Sequence, residues 1–509
     1  MIPPTMLTLY RATRIRTLSY PPTGEWLLVD GRHVQRVGSG EPPGADRIVD
    51  LPGATILPGF IDSHVHLTGT GEHHRVPAVP RARSASELLE LLRALAQEGT
   101  GPILVHGWDE SKWDRPELPA LEQLDALTDR PLAAVRVDGH LTLANTRGLE
   151  LSGALDASEG VARDQHGRPT GTVTGVANGR LRRWFQQHLS DRDIEELQLE
   201  AASLAVAHGI TCVHEMSMPS ERGLRDLEIL LRHRARLPVD VVTYLATTDI
   251  AQVMDLGLPR IGGDLPVDGS IGARTAWVSE PFADRRGSGV SYFADDDLVQ
   301  LFHDAHLAGL QVGVHAIGDA AIDQVVRAWE RVYRSLDTRG RRHFRARRHR
   351  VEHFEMPTSD LIERAAALGL AISVQPAFDA EWGARGGLYE VGLGWDRAEA
   401  MNPFRSLLDR GLEVGAGSDS PITPIDPLAG ITAFERHHDP AQRLSREQAI
   451  RAYTIGSARL AHLEDKKGTL EPGRHADFAA FERDPMDAQP LDGLRPILTV
   501  SLGREVFAV

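Results

Sequence analysis

Leu57-Pro-Gly-Phe-Ile-Asp-Ser-His-Val-His66 is an apolar stretch that ends in two histidines separated by one residue. Its apolar part predicts a buried β-strand. Alternate residues of a strand lie on one face, so His64 and His66 point to the same side, where neutral nitrogens can share a divalent metal. The alternative is a pair of hydrogen-bonded histidines at a strand end. The stretch alone leaves both interpretations open.

The composition is typical of a globular protein. The chain has 509 residues, of which 41% are hydrophobic and 25% are charged, which fits one large domain with an appendage. No segment approaches the roughly 18 consecutive apolar residues of a membrane span, and the first residues lack the features of a signal peptide. The single cysteine, Cys212, excludes an internal disulfide framework. We therefore expect a cytoplasmic protein without a membrane partner.

The charge distribution is acidic with one basic exception. A net charge of −15 argues against general affinity for nucleic acid. The exception, Arg339–Arg350, contains seven arginines but only one aromatic residue, Phe344. A solvated loop between a helix and a strand, or a subunit contact, is favoured over a nucleic-acid patch. We expect no nucleic-acid partner.

From about residue 200 the sequence alternates strand-like and helix-like segments. Together with the strand that ends at His66, the predicted strands number eight, which is the count of a (β/α)8 TIM-type barrel of the α/β class. The other seven predicted strands are Ile210–Met216, Pro238–Ala246, Gly263–Ser270, Gln311–Ile317, His349–Glu355, Leu370–Ala377 and Leu412–Asp419.

Two additions to the barrel are predicted. Residues 70–200 are longer than one crossover needs and form an insertion that we expect to cover the barrel mouth. Within it, 86–97 predicts a helix and the segments 106–113 and 137–140 are predicted to be irregular. Residues 1–55 and 465–509 contain short strands between prolines and glycines. They predict a small β-sandwich domain built from both chain ends, with the barrel domain over residues 56–464.

Polar side chains end several of the predicted strands. His315, His353 and Asp419 end strands five, six and eight, where a barrel presents its reactive groups. With His64 and His66 they form a set of nitrogen and oxygen ligands that suits Zn²⁺, with Mn²⁺ or Fe²⁺ as substitutes. The set favours the metal interpretation of the two opening histidines.

These motifs resemble the amidohydrolase superfamily, in which strand one carries His-x-His, strands five and six each carry a metal-binding histidine, and strand eight carries an aspartate. The finer pattern is similar to the branch called amidohydrolase family 3, which includes N-substituted formamide deformylases. The resemblance implies a metal-dependent hydrolase, and barrels of this type often form homodimers. The matching segments are Asp138–Asn145, Asp268–Ala276, His315–Asp319 and Gly468–Asp477.

Asp264 departs from the pattern of that branch. Its members commonly carry a lysine four residues before the Asp-Gly-Ser of strand four, and the carbamate of this lysine is expected to bridge two metals. Here Asp264 stands four residues before Asp268. Aspartate is much shorter than a carbamylated lysine, so three alternatives stay open: Asp264 bridges two metals, a single metal binds, or solvent and Asp419 bridge two metals.

The ligand set predicts a reaction. A divalent cation generates a metal-bound hydroxide near neutral pH, and Asp419 can act as the general base and then protonate the departing nitrogen. The predicted function is hydrolysis of an amide, N-formyl or N-acyl C–N bond of a small molecule. One alternative is the same barrel acting as a deaminase, lactonase, decarboxylase or isomerase. The other is a degenerate barrel that acts as a binding or regulatory protein.

Three further residues are candidates for contact with the substrate. His140 is a candidate donor to the developing oxyanion, or a structural loop histidine. Arg274 is a candidate for binding a carboxylate, or for holding its loop through backbone carbonyls. Trp108 is a candidate for the pocket wall, or packs the insertion onto the barrel.

Overall fold

The computed structural model describes residues 6–75, 79–97 and 101–509, so that residues 1–5 of the predicted terminal domain lie outside the described part. Its strands are β1 (Leu7–Arg16), β2 (Thr23–Asp30), β3 (His33–Gly38), β4 (Arg47–Pro58), β5 (Phe60–Val65), β6 (Ile103–Trp108), β7 (Leu132–Arg136), β8 (Leu141–Ala144), β9 (Val161–Arg163), β10 (Pro169–Thr174), β11 (Ile210–Ser217), β12 (Asp240–Leu245), β13 (Arg260–Ile261), β14 (Gln311–Ala316), β15 (Arg350–His353), β16 (Ala371–Val374), β17 (Glu413–Ala416), β18 (Phe478–Phe481), β19 (Pro496–Ser501) and β20 (Arg504–Ala508).

Helices separate most of the strands that follow β10. The helices are α1 (Leu67–Arg75), α2 (Ala85–Ala96), α3 (Leu121–Asp125), α4 (Thr146–Leu151), α5 (Gly175–Gln187), α6 (Asp191–Ala207), α7 (Pro219–Arg222), α8 (Leu224–His233), α9 (Ile250–Asp255), α10 (Asp295–Leu307), α11 (Asp319–Ser335), α12 (Thr338–Arg347), α13 (Ser359–Leu368), α14 (Pro376–Trp382), α15 (Leu388–Leu393), α16 (Trp395–Glu399), α17 (Phe404–Asp409), α18 (Pro427–Glu435), α19 (Arg446–Arg451) and α20 (Ser457–Leu460).

Eight parallel strands form the centre of a TIM-barrel-type α/β fold. They lie in two sheets, with the order β12-β11-β5 in one and β13-β14-β15-β16-β17 in the other. Hydrogen bonds link the sheets at both edges: Gly262 N–H donates to Leu245 O at 2.7 Å, and Asp419 N–H donates to His64 O at 2.8 Å. The carboxyl ends of these strands therefore meet on one side of the molecule.

The outer helices bury one face against the strands. In α11, for example, Ile322, Val325, Trp329 and Val332 are buried at intervals of three or four residues, which places them on one side of the helix. Trp329 stacks on Phe302 of α10, with ring centroids 4.0 Å apart. Contacts of this kind fix the position of each outer helix against the central strands.

Strand four is much shorter than predicted. The strand β13 ends at Ile261, and the predicted strand Gly263–Ser270 is wrong, since only an isolated bridge from Pro266 to His315 is present there. The cause is local: Gly262 and Gly263 adopt φ angles of 81° and 75°, which leave the extended conformation, and Pro266 has no backbone N–H to donate. The turn places Asp264 at the end of the strand.

The insertion has a sheet of its own, with the strand order β6-β7-β8-β10-β9. The predicted helix at 86–97 is confirmed as α2 with a shift of one residue at each end. The prediction that 106–113 is irregular is wrong at its start, because residues 106–108 belong to β6. Buried hydrophobic residues between β6 and α2 stabilise this strand, whereas 137–140 is irregular as expected.

Strands from both ends of the chain form one seven-stranded sheet with the order β20-β19-β18-β4-β1-β2-β3. β4 pairs in parallel with β1 and antiparallel with β18, in the register Leu57 to Ala479. After Gly59 the chain continues directly into β5, so the sheet is continuous in sequence with the strand that carries His64. The division of the chain into domains stays a prediction.

The arginine-rich segment is a helix and not the loop that the sequence predicts. α12 covers Thr338–Arg347, and its N-cap Asp337 accepts a hydrogen bond from Gly340 N–H. Phe344 is buried beneath the helix, whereas Arg341 donates to backbone carbonyls of the preceding helix. Arg350 differs from the other arginines of the segment because it is fully buried in β15.

Candidate metal centre and active site

The predicted metal ligands meet at the carboxyl ends of the central strands. His64 lies in β5 and His66 follows it, His315 lies in β14, and His353 ends β15. Asp419 follows β17 in the loop that hydrogen-bonds to His64. The structure thus brings the five residues together, as their positions in the sequence predict.

Two carboxylates join the four histidines. Asp419 Oδ1 lies 3.3 Å from His64 Nε2 and 3.2 Å from His66 Nε2. Asp264 Oδ1 lies 3.2 Å from His315 Nδ1 and 3.4 Å from His353 Nε2, while its Oδ2 lies 3.5 Å from His66 Nε2. Asp264 therefore contacts histidines from strands one, five and six.

The spacing and burial of these atoms fit a divalent metal. Two ligand atoms that each lie roughly 2.1 Å from a tetrahedral ion are roughly 3.4 Å apart, and the five contacts just described are 3.2–3.5 Å long. His64 Nε2 and Asp419 Oδ1 are also buried with no hydrogen-bond partner among the described residues. Buried polar atoms without partners are rare, and an ion between them would satisfy both.

The second ring nitrogen of each histidine faces an acceptor outside the centre. A proton on that outer nitrogen leaves the inner nitrogen with a lone pair for a metal, which is the usual arrangement of histidine ligands. The outer contacts are His64 Nδ1 to Glu352 Oε2 at 3.0 Å, His66 Nδ1 to Met216 O at 2.9 Å, His315 Nε2 to Gly269 O at 3.1 Å and His353 Nδ1 to Gln375 Oε1 at 2.8 Å.

Glu352 and Arg350 form a buried ion pair behind His64. Arg350 donates to both carboxylate oxygens of Glu352, at 2.9 and 2.8 Å, and neither side chain is exposed. Burial raises the pKa of Glu352, but the charge of Arg350 and the hydrogen bond with His64 outweigh this effect. The pKa of Glu352 is therefore below its usual value. Glu352 is therefore an ionised acceptor that fixes the ring of His64.

The centre attracts positive charge. Burial raises the pKa of Asp264, but hydrogen bonds with His315, His353 and His66 lower it to well below its usual value. Burial lowers the pKa of His353, but Asp264 and Asp419 raise it to about 9. The pKa values of His66 and His315 are raised as well, and a divalent ion would displace protons from these three histidines.

Two of the ligands have backbone conformations that are unfavourable for ordinary residues. His353 has a φ of 69° and Asp419 a φ of 53°, both in the left-handed region. Each such residue costs about 1–2 kcal/mol, and strain of this kind is concentrated at functional sites. These conformations turn the side chains towards the centre just beyond their strands.

A cavity of about 340 Å³ lies above the metal centre. The insertion contributes one wall, which includes Arg136, Asp138 and the predicted substrate contact His140. Phe378 and Trp382 of α14 also line the cavity. The insertion therefore contributes to the wall of a cavity that has room for a small molecule, and its coverage of the barrel mouth stays a prediction.

Two predicted substrate contacts lie elsewhere. Trp108 is fully buried, its Nε1–H donates to Ala134 O at 2.8 Å, and it does not line the cavity. Arg274 is also absent from the cavity wall, because it pairs with Asp284 at 2.6 Å and donates to Ile271 O. Arg274 holds its loop, as its structural alternative predicts, whereas Trp108 packs within the insertion and not between the insertion and the barrel. The prediction that they bind substrate is corrected.

Histidines and carboxylates at the carboxyl ends of TIM-barrel-type strands, below a cavity, define a metal-dependent hydrolase. Comparison with known proteins places the chain within this class. It belongs to the amidohydrolase family, whose sequence profile matches residues 47–507.

Relatives of known sequence or structure agree with this assignment. The Bacillus subtilis (strain 168) protein YtcJ, which is named an amidohydrolase, is 28% identical over 476 residues, covering 87% of this chain and 86% of YtcJ. An N-substituted formamide deformylase of Arthrobacter pascens is 24% identical over 506 residues, covering 91% of this chain and 90% of the deformylase. A crystal structure of an uncharacterised metal-dependent hydrolase from Pyrococcus furiosus is 29% identical, with a TM-score of 0.74, and the match covers 94% of this chain and 100% of that one.

The chain is thus a hydrolase that acts on C–N bonds other than peptide bonds, and it uses a divalent metal. None of the helices in the described residues is long and apolar enough to cross a membrane.

Proposed function

We propose that this protein is a zinc-dependent amidohydrolase that cleaves the amide bond of a small N-formyl or N-acyl amine. The observation that carries the proposal is the convergence of four inner histidine nitrogens on Asp264 and Asp419, at the spacing of metal ligands. The similarity to an N-substituted formamide deformylase supports the choice of bond.

The ligands divide into two groups that share Asp264. His64, His66 and Asp419 form one group, with ligand atoms that all lie within 4.8 Å of one another. His315 and His353 form the other, and both contact Asp264 Oδ1. Because Asp264 Oδ2 faces His66, its carboxylate extends between the groups. We infer that Asp264 would serve as a ligand to both groups when metal is bound, at the sequence position of the carbamylated lysine in the branch that this chain resembles.

The residues of the site then have distinct roles in hydrolysis. A bound divalent ion supplies Lewis acidity, which polarises a carbonyl group and lowers the pKa of water. Asp419 accepts the proton of the attacking water at its carboxylate and returns it to the departing nitrogen, because an amide anion is a poor leaving group. His140, in the cavity wall, donates a hydrogen bond to the carbonyl oxygen as negative charge develops there.

A substrate panel with a metal control tests this function. N-formyl amines, N-acyl amines, cyclic amides and lactones are assayed with added Zn²⁺ and with a chelator. We expect turnover of amides that is lost with the chelator and in His64→Asn, but kept in His166→Asn, which changes an exposed loop histidine. Turnover of lactones alone, or of amides at equal rates in the presence of chelator, would contradict the proposal.

Two features of the fold belong to the same proposal. The hydrogen bonds at both edges of the central sheets support closure of the eight strands into a barrel. The terminal sheet has buried hydrophobic residues on two opposed surfaces, around Tyr10 and Phe478 and around Leu9 and Trp26, which supports a small β-sandwich.

A further inference from the structure

Glu355 is a buried carboxylate in the cavity wall that the proposed reaction does not use. It follows the ligand strand β15 by two residues and is 3% exposed. It lines the same cavity as His353 and His315. A carboxylate costs free energy to bury, so its position beside the metal centre calls for a partner.

Among the residues that the structure describes, only one of the two oxygens of Glu355 has a hydrogen-bond partner. Tyr389 Oη–H donates to Oε2 at 2.6 Å, and no described residue donates to Oε1. Glu355 lines the cavity, so its carboxyl group borders the space that a substrate would fill. Glu355 therefore offers an acceptor to whatever occupies the cavity.

The backbone before Glu355 is strained in a way that keeps this arrangement. His353 and Phe354 both have left-handed φ angles, 69° and 53°. The main chain on either side is fixed, because Phe354 N–H donates to Ala316 O and Asn402 N–H donates to Glu355 O. Two strained residues in succession are costly and tend to be kept where a site needs them. Here the strain lets the ligand His353 and the acceptor Glu355 line the same cavity.

We propose that Glu355 accepts a hydrogen bond from the N–H of the substrate amide, which makes the enzyme selective for primary and secondary amides over tertiary ones. This inference rests on the proposed amide hydrolysis. In a planar trans amide the N–H points away from the carbonyl oxygen. When the carbonyl oxygen faces the metal centre, the N–H therefore points into the cavity, where the buried carboxyl group of Glu355 in the cavity wall is available as an acceptor.

A pair of substrates that differ only at the nitrogen tests the selectivity. The probes are N-butylformamide and N-butyl-N-methylformamide, and kcat/KM is measured for both with the zinc-loaded enzyme. Since a hydrogen bond to a charged group is lost with the N-methyl compound, we expect a preference of about 10- to 100-fold for the N–H substrate. Glu355→Met should lower kcat/KM for the N–H substrate by a similar factor and change the N-methyl substrate by less than about threefold.

Further variants separate substrate binding from a structural role. Glu355→Gln keeps an acceptor oxygen and should retain part of the preference, and Tyr389→Phe should retain most of it, since Glu355 remains. Glu228→Met, on the exposed face of α8, is the matched control and should behave as the wild type. Zinc content and melting temperature are recorded for every variant, so that loss of metal or of folding is recognised independently of activity.

The outcomes distinguish the two proposals. Equal losses for both substrates in Glu355→Met, with zinc content unchanged, would overturn the role of Glu355 but leave amide hydrolysis intact. A wild-type enzyme that cleaves both compounds equally well would also overturn it. A zinc-loaded wild type that cleaves neither compound, nor any amide of the panel, would refute the proposed function and this inference with it.

Discussion

Removal of the Glu352 carboxylate should lower both the stability of this protein and its affinity for metal, each for a different reason. Arg350 is fully buried, and Glu352 is the group that neutralises its charge. In Glu352→Met the guanidinium keeps its contacts with Tyr244 Oη at 2.9 Å and Ser63 O at 2.9 Å, but no ionised partner remains in contact with it. A buried charge that loses its partner costs about 3–5 kcal/mol.

The expected shift in melting temperature follows from the size of the chain. An unfolding entropy of about 2.1 cal/mol/K per residue gives roughly 1 kcal/mol/K for 509 residues, so Glu352→Met should lower the melting temperature by about 3–5 °C. Glu413→Gln is the control, because it breaks an exposed pair with Arg459 at 3.3 Å. An exposed pair contributes about 0–1 kcal/mol, so the control should shift by at most about 1 °C.

The affinity for zinc should fall for a different reason. Without Glu352 the outer nitrogen of His64 loses the acceptor that fixes its proton and its ring. Loss of such a partner weakens metal binding by about 10- to 100-fold. The double variant Arg350→Met/Glu352→Met should be less destabilised than the sum of the single variants, since no unpaired charge remains, yet it should bind zinc as weakly as Glu352→Met.

Calorimetry of the metal-free protein and competition with a chromogenic chelator measure the two quantities. Wild-type zinc affinity in Glu352→Met would refute the assignment of Glu352 to His64. An unchanged melting temperature would refute the view that Arg350 depends on Glu352 for its neutralisation.

Three further predictions concern other parts of the molecule. Asp264→Ala should lower bound zinc by one ion per chain, as measured by plasma mass spectrometry; unchanged content would contradict bridging. Trp108→Phe should lower the melting temperature and leave KM unchanged, because Trp108 packs inside the insertion. A raised KM would indicate that Trp108 contacts the substrate after all. Burial raises the pKa of Glu72, but the charge of Arg222 outweighs this effect, and the pKa lies well below its ordinary value of 4.5. A carboxyl group with a lowered pKa stabilises the folded state above its ordinary pKa and loses this effect as pH falls. Glu72→Gln should therefore lower the melting temperature at pH 7, with a difference from wild type that shrinks below about pH 4.5; a constant difference would contradict the ionic role.

The ends of the long strands could be predicted from the sequence. β11 and β14 end within one residue of the predicted ends Met216 and Ile317, and the fold brings such strand ends together whatever the details of the loops. Strand four could not be predicted, because its position depends on the paired glycines Gly262 and Gly263, whose φ angles only the tertiary structure fixes.

Partners of the ligands were harder to predict than the ligands themselves. Glu352 has a local signal, since in Arg350-Val-Glu-His353 alternate residues place the arginine and the glutamate on one side of the strand. Gln375 has none, because its contact with His353 joins the ends of different strands. Trp108 and Arg274 were misassigned for a related reason: sequence position indicates that a residue is near a site but not which way its side chain points.

The pairing of β4 with β18 affects how this protein is made. β4 leads through Gly59 into β5, which carries His64, and its outer edge is covered by residues 478–481. The ribosome completes all the central strands before it releases that partner. One edge of β4 therefore stays unpaired throughout synthesis of the catalytic region, and open strand edges are sites of aggregation. The nascent chain is most in need of chaperone protection in this interval. β4, which leads into the strand that carries His64, is paired on both edges only when synthesis has passed residues 478–481.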